Sequence, residues 1–142
     1  MDPEARYPLT AYNYRVTVGD AELSFSEVSG LAVEYEKVTY RHGLSFREGE
    51  TITKHLFEKF VALTLKRGVV HGENPLYEWL LDNEPRKMAI SLCNAEGDPV
   101  VTWDIRRAVA IKLQGPSLKA SGNEVAIETL DLQVSGVTVI HH

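Results

Sequence analysis

The chain has 142 residues, a length that suits one domain with a real core. Hydrophobic content of 44%, charged content of 25% and a net charge of −5 describe an ordinary soluble globular protein; no Lys/Arg cluster dominates, which excludes a dedicated nucleic-acid face. The single cysteine, Cys93, excludes an internal disulfide framework, and no apolar run reaches the roughly 18–20 residues of a membrane helix.

Residues 1–9 are acidic and Pro-containing and predict a loose arm ahead of one domain spanning 10–142. They lack the basic and apolar regions of a secretory signal, so synthesis in the cytoplasm is expected. The first strand is AYNYRVTV, with Tyr12, Tyr14, Val16 and Val18 on one face. Gly19-Asp20 is a two-residue hairpin signal, and the partner strand AELSFSEV turns Leu23 and Phe25 inward. Ser29-Gly30 turns the chain again.

A long excursion follows. Leu31, Val33 and Tyr35 share one face of an extended segment, and Val61, Leu63 and Leu65 share one face of another. The inward phase slips from Tyr35 to Val38 and Tyr40, as a β-bulge would make it do. Between these segments lies an insert at about 41–57, far longer than a hairpin loop of about 2–5 residues. It carries Leu44, Phe46, Ile52, Leu56 and Phe57, too few apolar side chains to offset the entropy of ordering it. Such an insert either lies on its own domain or is ordered by another chain, and the second is the working expectation.

After LTLKRG comes the one predicted helix. Asn74 suits the N-cap, Pro75 the first helical position, and Leu76, Trp79 and Leu80 form an apolar stripe. Pro85 ends it, and Trp79 is expected to plug one end of a β core. Four strand segments complete the chain: RKMAISLC with Met88, Ile90 and Leu92 inward, PVVTWDIR with Val101, Trp103 and Ile105, AVAIKLQ with Val109, Ile111 and Leu113, and a long last one from Glu124. Gly97 and Pro99 occupy turn positions in NAEGDP. The last segment slips phase from Val125/Ile127 to Leu130/Leu132/Val134. The whole predicts a mainly β fold, an antiparallel β-sandwich or flattened barrel with one short α-helix and a long inter-strand insert.

Chemistry is sparse. The five histidines, at 42, 55, 71, 141 and 142, form no metal-ligand pair, and the closing His pair is either natural or the remnant of a tag. No nucleophile elbow, phosphate loop or dinucleotide fingerprint is present. No enzyme, cofactor or metal is expected. What remains is edge and loop chemistry. The last strand is long, Val/Ile-rich and poor in charge after Asp131, a liability in a monomer that neighbouring copies would cover. The insert mixes Arg41, Arg47, Lys54 and Lys59 with Glu48, Glu50 and Glu58, a pattern that suits contacts with copies of itself or the next layer of a stack, and equally a solvated face.

The stretches FSEVSGLAVEYEKVTYRHG, LTLKRGVVHGENPLYEWL, MAISLCNAEGDPVVTWDI and GPSLKASGNEVAIETLDL resemble the tail-tube proteins of contractile phages, and most of all the inner-tube subunits of extracellular contractile injection particles. The resemblance runs from about Tyr7 to Val139. Where such relatives carry Pro-Gly in the insert, this chain has Lys54-His55-Leu56-Phe57, and where many have Asn-Ala-aromatic-Pro it has Arg107-Ala108-Val109-Ala110.

The resemblance implies a structural subunit of hexameric rings that stack into a hollow tube inside a sheath and carry cargo across a target membrane. The partners implied are further copies of itself, a sheath protein, baseplate or tube-initiator proteins, and protein cargo in the lumen. The insert would stack on the adjacent ring through Arg41, Gly43, Phe46, Arg47, Glu48, Lys54 and Phe57. Lys66 and Arg67, in the LTLKRG turn, would lie near subunit contacts. Glu124, Glu128 and Asp131 are candidates for an acidic lumen. Two alternatives stand beside this: a monomeric β-sandwich binding module that uses the insert as a ligand loop, and a tube-initiating baseplate paralogue.

Overall fold

The computed structural model describes residues 9–11, 13–40, 51–72 and 75–142. The expected N-terminal arm, Tyr12 and the expected N-cap Asn74 lie outside the described residues, save for Leu9 at the end of the arm. The elements in order are β1 (Tyr14–Val18), β2 (Ala21–Leu23), β3 (Glu27–Ser29), β4 (Tyr35–Tyr40), β5 (Thr51–Glu58), β6 (Val61–Gly68), α1 (Pro75–Asp82), β7 (Arg86–Cys93), β8 (Pro99–Gln114) and β9 (Ile127–His141). Seven strands make one antiparallel sheet in the order β2-β1-β7-β8-β9-β6-β3, and β4 and β5 make a separate two-stranded ribbon.

The first hairpin forms as the sequence predicts. Val18 pairs with Ala21 across Gly19-Asp20, and Gly19 takes φ +59, a left-handed conformation that glycine adopts most readily. The expected partner strand AELSFSEV, however, is two strands. β2 pairs with β1 at one flank of the sheet, and β3 pairs with β6 at the other. Only Ser24, Phe25 and Ser26 join them, so the flanks lie within about 14 Å along the chain, at roughly 3.3–3.6 Å per residue. The Tyr14 hydroxyl donates to the Phe25 carbonyl at 2.7 Å and fastens β1 to this link. The sheet is therefore rolled into a flattened, unclosed barrel. Gly30 follows at φ +94, and a Cβ there would run into the Ala62 carbonyl oxygen.

The core lies within the roll. Val16 and Val18, Leu63 and Leu65, Met88 and Ile90, and Leu130, Leu132 and Val134 are all buried from the predicted faces of their strands. Each such side chain stabilises the fold by about 1.5–3 kcal/mol. Helix α1 adds Leu76 and Trp79, which are 0% and 1% exposed, so Trp79 does pack into the β core. The helix stops where Asn83 turns left-handed at φ 60, just before Pro85. Arg86 reaches back to Asp82 at 2.7 Å and lies 5.5 Å from the centre of the Trp79 ring. Cys93 is a buried free thiol.

The expected strands PVVTWDIR and AVAIKLQ are one strand, β8, 16 residues long. The break in alternation at Arg106-Arg107-Ala108 is a bulge, not a turn. Arg86 pairs with Ala108 but Met88 pairs with Ile105, so Arg106 and Arg107 together stand opposite Lys87. Pro99 begins this strand rather than ending the turn, where its missing N–H is harmless. A second shift lies between Ala110 and Lys112, leaving Ile111 as the extra residue and 53% exposed, contrary to its expected inward place. Ala108 and Ala110 are buried instead. In β9 the expected slip near Val125 is absent: Val125 is 75% exposed, outside the strand, and the inward phase runs back through Leu130 to Glu128. The slip falls at Ser135-Gly136, between buried Val134 and Val137. Both long strands therefore change phase at one level, where a bulge bends and twists the strand that carries it.

Candidate assembly interface

The ladders leave two borders short of a strand. β7 accompanies β8 only as far as Ala108, so among the described elements residues 109–114 have a strand on the β9 side alone. β6 accompanies β9 only as far as Val134, so residues 138–141 have a strand on the β8 side alone among the described elements. The composition predicted an edge strand; instead β9 runs inside the sheet as far as Val134, and among the described elements only its second half lacks a neighbour on the β6 side. The two outermost strands, β2 and β3, are three residues each, a length that offers little to an added strand. The borders of β8 and β9 lie on opposite sides of the ribbon and beyond opposite sides of its bend.

The predicted insert is a β-hairpin arm. β4 pairs with β5 from Tyr35 opposite Glu58 to Tyr40 opposite Thr51, and the register shifts between Glu36 and Lys37, where the phase slip predicts a bulge. The second half of the insert is thus strand, and Lys54 and Phe57 stand in it opposite Lys37 and Glu36. Arg41, Gly43, Phe46, Arg47 and Glu48 lie outside the described residues. The arm is tied at its root by the Lys59 N–H donating to the Glu34 carbonyl at 2.9 Å and by a Lys59–Glu34 ion pair at 3.8 Å. Val33, Tyr35 and Phe60 around this root are 40%, 41% and 52% exposed, so of the predicted Leu31/Val33/Tyr35 face only Leu31 packs on the core. A two-stranded ribbon by itself is marginal in water.

Lys66 and Arg67 lie within β6, not in a turn. Lys66 points away from the core and meets Glu27 at 3.2 Å. Arg67 shares the inward phase of Leu63 and Leu65 and meets Glu128 at 3.5 Å. In the single chain Glu128, 6% exposed, thus faces the core rather than the outward face, with Arg67 held inside beside it. Asp131 does face outward, accepting from the Thr64 hydroxyl at 3.2 Å. Glu124 is exposed in the loop before β9. The outward face of the sheet mixes short hydroxylated side chains, Thr64, Ser91, Thr102 and Thr129, with charged ones such as Arg15, Lys66, Asp104 and Asp131, and Ser91 and Thr102 are hydrogen-bonded at 2.8 Å. Parity along the strands was the signal that could have placed Arg67 and Glu128.

Near the roll's seam, burial and then the Glu27 charge raise the Tyr14 phenol above its ordinary 10.0, so it keeps the proton it donates to Phe25. Among the described residues no group of His, Cys, Asp and Glu is arranged to hold a metal ion, and no helix is long and apolar enough to cross a membrane.

The described residues form a rolled antiparallel sheet with one helix, a separate two-stranded ribbon and two staggered borders. The chain belongs to the T4-like virus tail tube protein gp19 family, whose model matches residues 10–138. It is similar to a chain in the anti-feeding prophage tube-terminating cap, with 29% identity, 96% of this chain and 93% of that one covered and a TM-score of 0.84. It is equally close in fold to a chain in the sheath–tube complex of PVC, an extracellular contractile injection system in its extended state, with 26% identity, 100% and 99% covered and a TM-score of 0.84. A type six secretion system protein shares the fold alone, with 11% identity, 91% and 83% covered and a TM-score of 0.59. No curated protein sequence matches the chain.

Proposed function

We propose that the chain is the inner-tube subunit of a phage-tail-like contractile injection apparatus. Copies close into hexameric rings by laying the uncovered border of β8 against that of β9 in the next copy, so that one sheet continues from subunit to subunit. Head-to-tail joining of two different borders is the kind of contact that generates a ring. Rings then stack through the β4–β5 arm, and a contact too weak for one pair of molecules is multiplied around the ring. The role is mechanical, not catalytic. A sheath surrounds the tube, a baseplate nucleates it, and cargo passes along a lumen lined by the outward face, with Asp131 on the sheet and Glu124 in the loop before β9 among its acidic members. Assembly takes place from cytoplasmically made subunits into a particle.

The observation that carries this reading is the pair of staggered borders in a chain that matches an injection-system sheath–tube chain over 100% of its length. Light scattering behind size exclusion, with negative-stain imaging, tests it: annular particles or tubes are expected, and a chain that stays monomeric at high concentration with a baseplate nucleus present would overturn it.

The likeness to the tube-terminating cap favours a second reading, a terminal subunit that closes the tube. A terminal subunit added in excess stops tube growth, whereas a tube subunit lengthens the tube. The imaging experiment separates the two by tube length against concentration.

A further inference from the structure

The β8–β9 ribbon is the only described element that spans both halves of the sheet, and its corner is built by few atoms. Between the Ile105–Val137 and Arg107–Ser135 pairs stand Arg106 and Gly136. Gly136 has φ +72, and a Cβ on it would lie 2.6 Å from the Arg106 Cβ, closer than real Cβ atoms come. The Arg106 side chain thus leaves the strand directly over the bare Gly136 backbone. Beside it, Arg107 Nε donates to the Ser135 hydroxyl at 3.0 Å, and that serine is 1% exposed. A bulge on β8, a left-handed glycine on β9 and this hydrogen bond hold the bend at one value.

The bend has a geometric consequence. One uncovered border, 109–114 of β8, lies on one arm of the ribbon; the other, 138–141 of β9, lies on the other arm. When copies join head to tail, the rotation from one to the next equals the angle between their two borders. Whether the series closes, and after how many copies, depends on that angle. We infer that the Arg106–Gly136 corner sets the closure angle of the assembly, making these residues the determinant of ring size rather than of monomer folding. The inference rests on the ring-forming reading above.

The test compares the wild-type chain with Arg106→Gly and Arg106→Ala by circular dichroism and by class averages of negatively stained particles. Arg106→Gly removes the Cβ that seats on Gly136 and frees the bulge, while touching no core side chain. It is expected to keep the wild-type strand signal and to lose the single ring diameter, giving open arcs or mixed diameters. Arg106→Ala keeps the Cβ and is expected to keep the diameter. Wild-type particles that are not annular would overturn the ring reading itself. Annular wild-type particles with unchanged Arg106→Gly rings would overturn the corner alone. The corner would equally be overturned if Arg106→Ala lost the diameter as Arg106→Gly does, since the guanidinium and not the Cβ contact would then be responsible.

Discussion

Arg67 on β6 and Glu128 on β9 stand opposite each other in register and meet at 3.5 Å, their side chains only 13% and 9% exposed. Removing one member of a buried pair leaves the other's charge out of water, which costs about 3–5 kcal/mol. Arg67→Ala is expected to lose that much in urea melts. Arg67→Met combined with Glu128→Leu fills the same space without charge and is expected to come within about 1 kcal/mol of the parent or above it. A double variant as unstable as the single one would show that the charges themselves matter.

Gly30 separates two causes of strain from none. Its φ of +94 and the Ala62 carbonyl in the path of a Cβ both oppose a side chain. Gly30→Ala is expected to cost about 1–3 kcal/mol or more. Gly115 has ordinary φ and nothing within 4 Å of a built Cβ, so Gly115→Ala is expected to stay within about 0.5 kcal/mol of the parent. Thermal melts of the two variants check the contrast.

Tyr14 makes stability sensitive to alkali. Its folded phenol is harder to ionise than an ordinary one at 10.0, chiefly through burial and then through Glu27. Above pH 10.0 the unfolded chain releases this proton while the folded chain keeps it, so unfolding becomes relatively favourable as pH rises. The contribution is intact below pH 10.0 and is lost as pH climbs through the raised folded value. Tyr14→Phe is expected to lose about 1 kcal/mol at neutral pH with the hydrogen bond to Phe25. It should also decline less steeply above pH 10.0, and parallel pH profiles for the two chains would contradict this.

The arm should be dispensable for folding and required for stacking. Val38 pairs with Thr53, so the hairpin can be shortened there by a tight turn that keeps the root at Lys59 and Glu34. The shortened chain is expected to melt within about 0.5 kcal/mol of the parent, since the removed strands pair only with each other in the ladders. Single rings should persist in negative stain while tubes disappear. A chain that unfolds on shortening would mean that the arm completes its own domain.

Much of the fold was legible because the physics involved is local. Gly19-Asp20, the stripe Leu76/Trp79/Leu80 and the stop at Pro85 depend on a few adjacent residues; Asn83, left-handed at φ 60, was not read in advance. Period-two alternation gave the inward faces of β6 and β7. Continuity was not legible, because a bulge and a turn both interrupt alternation; Arg106-Arg107-Ala108 therefore read as a break between two strands. β5 was missed for a related reason, since TITKHLFE alternates poorly. Arg67 and Glu128 read as surface residues because charge usually means water, although their parity with Leu65 and Leu130 placed them inward. The uncovered borders follow from where β6 and β7 stop relative to β9 and β8, which is a property of pairing and not of composition.

The short link through Ser24, Phe25 and Ser26 leashes the outermost strands to one another. Peeling either flank away from the roll must drag the opposite flank with it, so load applied at one side is shared across every ladder between them. The sheet gains from such a belt, because it can shear only as a whole and cannot unzip strand by strand.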